Sequence, residues 1–115
     1  MQLQDLKSQL TLVFPVRIDC EERRENLRVV LRQLDGLGCR MLVLEADAVP
    51  ALGEEAWPDG VEYTFVEDAS KVFHRTRYIN ELLRMAGTEV VGVWDTDVLV
   101  GYAQIGEAVQ RILEG

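Results

Sequence analysis

The chain has 115 residues, with 12 basic residues against 20 acidic and a net charge of −8. That length is one domain, residues 1–115, with room for a real core but little for a complete enzyme. The acid excess argues against a sequence-independent grip on nucleic acid, which needs clustered Lys and Arg, and against an electrostatic membrane anchor.

The N-terminal residues Met1 to Lys7 carry no apolar signal core, and no run approaches the length of a membrane span. Cys20 and Cys39 stand in no C-x-x-C pattern and read as reduced packing thiols, so a cytoplasmic protein is expected. No internal repeat or low-complexity tract is present.

Leu10 to Phe14 is a short β-rich apolar run that Pro15 closes, delivering Pro15-Val16-Arg17-Ile18-Asp19 to a sheet edge. From Cys20 to Gly38, Leu27, Val30, Leu31, Leu34 and Leu37 fall on one face of an amphipathic helix. Asp19 is its expected N-cap, Glu21 and Glu22 suit the positive first turn, and Gly36 and Gly38 stop it. Glu21 to Glu25 read as a solvated face. Cys39 to Leu44 is a second buried strand, ending at Glu45-Ala46-Asp47. A loop broken by Pro50, Gly53, Pro58 and Gly60 follows.

Val61 to Val66 alternates as a third strand, nearer an edge, and Glu67 to Ser70 turns the chain. His74 to Ala86 reads as a second helix with Gly87 as its C-cap. Val90 to Trp94 lacks polar alternation and reads as a strand buried on both faces. It emerges at Asp95-Thr96-Asp97. Ile105 to Leu113 is a last amphipathic helix. The order β-α-β-β-α-β-α predicts an α/β fold: three layers, a mostly parallel sheet and helices on both faces.

Three strands thus end in polar groups: Arg17 and Asp19, Glu45 and Asp47, Asp95 and Asp97. If the strands are parallel neighbours, these groups share the rim where open α/β sheets bind ligands. A basic group, a lone acid and an acid pair suit a nucleoside diphosphate with a hard divalent cation. The cation would sit on Asp95 and Asp97, because carboxylates spaced i, i+2 can hold such an ion and the ion can hold phosphate oxygens. No G-x-G-x-x-G, G-x-x-x-x-G-K-[ST] or G-x-S-x-G occurs, and the single histidine disfavours Ser/His/Asp and His-rich zinc sites. Local readings stand beside these: Phe73 and Trp94 as packing, and Arg75 paired with Glu67 or Asp68 at the surface.

The D-x-D at Val93-Trp94-Asp95-Thr96-Asp97-Val98 resembles that of the GT-A glycosyltransferases, and the chain is similar to the donor-binding half of their β-galactosyltransferase-like and family-2-like members. Pro15-Val16-Arg17 matches their Pro-hydrophobic-Arg signature, Val43-Leu44-Glu45 their Val-x-Glu element, and Phe73-His74-Arg75 with Asn80 their Phe-x-Arg followed by Asn. The resemblance implies a UDP-sugar donor. Pro15, Val16 and Arg17 would line the uridine and phosphate pocket, and Glu45 would contact uracil or ribose. Phe73 and Arg75 would contact the nucleotide, Asp95 ribose or sugar, and Asp97 would ligate Mn²⁺ or Mg²⁺.

Two features depart from that family. Glu81-Leu82 follow Asn80 where relatives have a nearby glycine, and no acceptor half with a catalytic base is present. The resemblance therefore implies a donor half inactive alone, with the acceptor glycan unspecified. A homodimer through the face an acceptor half would cover is compatible with it. The alternative is a non-catalytic α/β interaction or regulatory module. A response-regulator-like domain fits less well, since its acids would cluster after the first strand.

Overall fold

β1 (Leu10–Val16), β2 (Arg40–Asp47), β3 (Val61–Glu67) and β4 (Val90–Val93) form one sheet in the order β3-β2-β1-β4, and every neighbouring pair is parallel. The computed structural model describes residues 9–96 and 102–114. Among the described residues three helices complete it: α1 (Glu21–Asp35) between β1 and β2, α2 (Arg75–Ala86) between β3 and β4, and α3 (Tyr102–Glu114) after β4. The chain is therefore α/β with a fully parallel four-stranded sheet.

Alternate residues of β1 belong to different apolar clusters, as the two-residue period of a strand requires. Leu10, Leu12, Phe14 and Val16 pack with Leu27, Val30, Leu31 and Leu34 of α1 and with Ile105 and Val109 of α3. Val13 packs instead with Leu42, Leu44 and Ala46 of β2 and with Tyr78 and Leu82 of α2. The apolar stripe expected for the first helix is thus the stripe that buries.

Pro15 lies inside β1 rather than closing it. It faces Leu44 of β2, while the pairing with β4 ends at Val13↔Val93. A missing N–H is tolerated where a strand has a neighbour on one side only. The strand expected to be buried on both faces is an edge: Val90 is buried, but Val93 is 40% exposed, and among the described residues no strand pairs beyond β4.

At the start of α1 the N-cap is Cys20, not Asp19, and its side chain makes no capping bond. The Asp19 carboxylate instead accepts from Arg23 Nε at 2.9 Å, a partner one helical turn on that competes for it. Gly87 caps α2 with φ 71°, the left-handed conformation that glycine adopts without a Cβ clash. Gly92 of β4 has a different constraint: a Cβ there would lie 2.9 Å from Leu12 Cδ2.

Candidate functional site

Along the sheet, β1, β2 and β3 step one way and β4 returns to the far side of β1. The crevice between the carboxyl ends of β1 and β4 is therefore the switch point at which open α/β sheets place ligands. A cleft of about 640 Å³ opens there. Its floor is Pro15, Val16 and Arg17 from the end of β1. Asp19, Cys20, Glu22, Arg23 and Asn26 come from the start of α1, Lys71, Phe73 and Arg75 from the approach to α2, and Asp95 and Thr96 from beyond β4.

Six of the residues predicted from sequence thus share one cleft: Pro15, Val16, Arg17, Phe73, Arg75 and Asp95. Asp97, predicted as the metal ligand, lies outside the described residues. Glu45 does not line the cleft. It is not at the end of β2 but inside the strand and 0% exposed. Its carboxylate accepts from Ala51 N at 2.9 Å, Leu52 N at 3.2 Å and Tyr63 Oη at 2.6 Å. A buried carboxylate is tolerated when it is bonded in this way, and here the bonds fasten the loop after β2. Burial, with Glu45 beside it, raises the pKa of Tyr63. The same loop sinks Leu52 into the core, stacks Trp57 on Tyr63 at 5.1 Å, and is tied to α1 by Arg28–Glu55 and by Arg24 Nη2 on Ala51 O at 3.0 Å.

Arg17 is the best-held residue of the cleft. Its Nε donates to Ala46 O at 2.8 Å, Nη1 to Ser70 O at 2.7 Å and Nη2 to Asp68 O at 3.2 Å, and its guanidinium lies 5.6 Å from the centre of the Phe73 ring. It joins the ends of β1 and β2 to the turn after β3. That turn is braced a second time by Asp68, which accepts from Ser70 N at 2.9 Å and from the Tyr78 hydroxyl. The Tyr78 bond first, then Ser70 and the charge of Arg17, hold the Asp68 carboxyl well below the usual range. Phe73 stacks on Tyr78 at 5.8 Å, so it packs against the core and borders the cleft as well.

Arg75 does not pair with Glu67 or Asp68. Its Nη2 donates to Asp95 Oδ1 at 3.1 Å, an exposed ion pair between the start of α2 and the segment after β4. Asp95 is therefore already neutralised by a cation. Among the described residues no group of three His, Cys, Asp or Glu side chains could hold a metal ion. One carboxylate bound to an arginine is not by itself a divalent-cation site.

Sequence reasoning missed Cys20, Glu22, Arg23, Asn26, Lys71 and Thr96 as cleft residues. Glu22, Arg23 and Asn26 follow 3 and 4 spacings on α1, so their common face was readable. Lys71 carried no motif of its own: its turn is set by the distant bonds from Arg17 together with the Asp68 bonds to Ser70 N and the Tyr78 hydroxyl. No family model, curated protein or solved structure matches the chain.

Proposed function

We propose that the chain is the donor-nucleotide half of a GT-A-type glycosyltransferase, a three-layer α/β domain that takes a UDP-sugar into the β1/β4 cleft with Mn²⁺ or Mg²⁺ and does not transfer sugar alone. The observation that carries the reading is convergence. Of seven predicted site residues that are described, six line one cleft although they come from three separate chain segments. In this reading Pro15, Val16 and Arg17 form the nucleotide wall, Phe73 and Arg75 the opposite one, and Asp95 accepts from ribose or sugar. Glu45, with its bonds used internally, shapes the rim without touching the ligand.

The metal part rests on Asp97 joining Asp95, with diphosphate oxygens and water as the remaining ligands. A bound cation would supply charge neutralisation at the diphosphate. Arg75, released from Asp95, would turn its donors to a phosphate oxygen.

Calorimetry with UDP tests this. Saturable UDP binding that Mn²⁺ strengthens and Asp97→Ala abolishes is the expected result, with no sugar transfer by this chain. If neither UDP nor Mn²⁺ binds at millimolar concentration, the non-catalytic α/β module replaces it. One observation favours that second reading: Arg17 and Asp95 already have partners within the protein.

A further inference from the structure

We propose that the cleft carries a diphosphate subsite built from protein cations, with Lys71 as its principal anion-binding residue and Arg17 as the residue that positions it, and that this subsite works without a divalent metal. The inference rests on the preceding reading only in taking the cleft as the ligand site.

Charge accounting points to it. In a chain with 20 acidic residues against 12 basic, a cation readily finds a carboxylate. Arg23, Arg24, Arg28, Arg40, Arg75, Arg84 and Arg111 all do. Arg17, Arg32, Lys71 and Arg77 form no salt bridge among the described residues, and of these four Arg17 and Lys71 line the cleft. The cleft lining holds four cations, Arg17, Arg23, Lys71 and Arg75, against three carboxylates, Asp19, Glu22 and Asp95, with Asp68 offsetting Arg17 from outside the lining, so the cleft is close to neutral in a protein whose total is −8.

The arrangement is also built. Three of the five N–H donors of Arg17 are spent on carbonyls and the Asp68 carboxylate feels its charge, so Arg17 is fixed as a positioning group rather than left as an uncompensated cation. Two of those carbonyls, on Asp68 and Ser70, belong to the turn that presents Lys71, and Asp68 braces the same turn through Ser70 N. Lys71 is exposed and has no bond of its own among the described residues, which leaves three ammonium donors for a ligand. The cations come from two connections, β1–α1 and β3–α2, and this suits two linked phosphates better than one.

The test is calorimetric titration of the full chain with inorganic pyrophosphate in the presence of EDTA. Saturable binding is expected, tighter than orthophosphate and weakened by added salt. Lys71→Ala should bind about tenfold more weakly, the loss of one charge-assisted hydrogen bond, and Lys71→Arg should bind like the parent. Because Lys71 is exposed, both variants keep the fold. The inference is overturned if pyrophosphate binds only when Mn²⁺ or Mg²⁺ is added, if it does not bind at all, or if Lys71→Ala leaves affinity unchanged. A parallel titration with UDP and Mn²⁺ separates the two readings. Tight metal-dependent UDP binding beside no chelator-resistant pyrophosphate binding sinks the subsite alone. Chelator-resistant pyrophosphate binding with UDP and Mn²⁺ no tighter sinks the sugar-nucleotide reading and keeps the subsite.

Discussion

On one side of β1, at the β2 end, the carboxylate of Glu45 is buried and closed in by two backbone N–H groups and a tyrosine hydroxyl, and the loop that follows is sealed by Leu52, Trp57 and Arg28. On the other side, at the β4 end, the Asp95 carboxylate is exposed across a cleft with a single arginine against it. Both acids follow an apolar strand run, and sequence gives each the same appearance. What separates them is the supply of donors from elsewhere in the chain. The β2 side has internal donors for every acceptor and is scaffold. The β4 side has Lys71, which forms no salt bridge among the described residues, and is where a ligand adds something.

The contrast can be broken or sharpened by substitution. The largest effect is expected for Glu45→Ala. It strands two buried N–H groups and a hydroxyl and leaves a void, so it should lower stability by roughly 3 kcal/mol or more, read from the midpoint of urea unfolding. If Glu45→Ala unfolds at the parental midpoint while weakening UDP binding, the assignment of the two sides is reversed. Leu52→Ala should follow at about 2–4 kcal/mol, since the side chain is 1% exposed in the core. Arg17→Ala should cost about 1–2 kcal/mol by freeing three carbonyls and should also abolish pyrophosphate binding. Arg17→Lys should restore little of either, because an ammonium cannot span three separate acceptors as a fork does. Asp95→Asn should leave stability within about 0.5 kcal/mol, as exposed ion pairs do, so any large change there would show the β4 side to be scaffold too.

The smallest effect concerns pH. Glu55 and Glu62 are held below the usual carboxylate range by Arg28 and Arg40, and Asp19 by Arg23. A depressed folded-state value means the stabilisation is complete above the ordinary range near pH 4 and fades as pH falls through the lower folded values. Thermal melts should therefore be flat from pH 7 to about 5 and decline below that.

Much of the frame was legible because it is local. The 3 and 4 spacings from Leu27 to Leu34 marked the buried face of α1, Gly87 marked the end of α2, and the strand runs gave a parallel sheet. The cleft residues Pro15, Val16, Arg17, Phe73, Arg75 and Asp95 were legible through motif and strand-end position together. Glu45 was read at a strand end because an acid after Met41-Leu42-Val43-Leu44 looks like an exit. Its burial depends on Ala51, Leu52 and Tyr63, which no period in the sequence announces. Lys71 has no such signal either, since its place in the cleft depends on bonds from its turn reaching back 51 and 53 residues to Arg17, beside the local Asp68–Ser70 bond.

The passage from β2 to β3 spans residues 48–60 without a helix, unlike the passages on either side of it. β3 stands at the end of the strand order and, among the described residues, pairs with β2 alone; five of its seven residues stay half-buried while its two glutamates are exposed. Its outward amides should exchange with deuterium well before those of β1, which is paired on both sides.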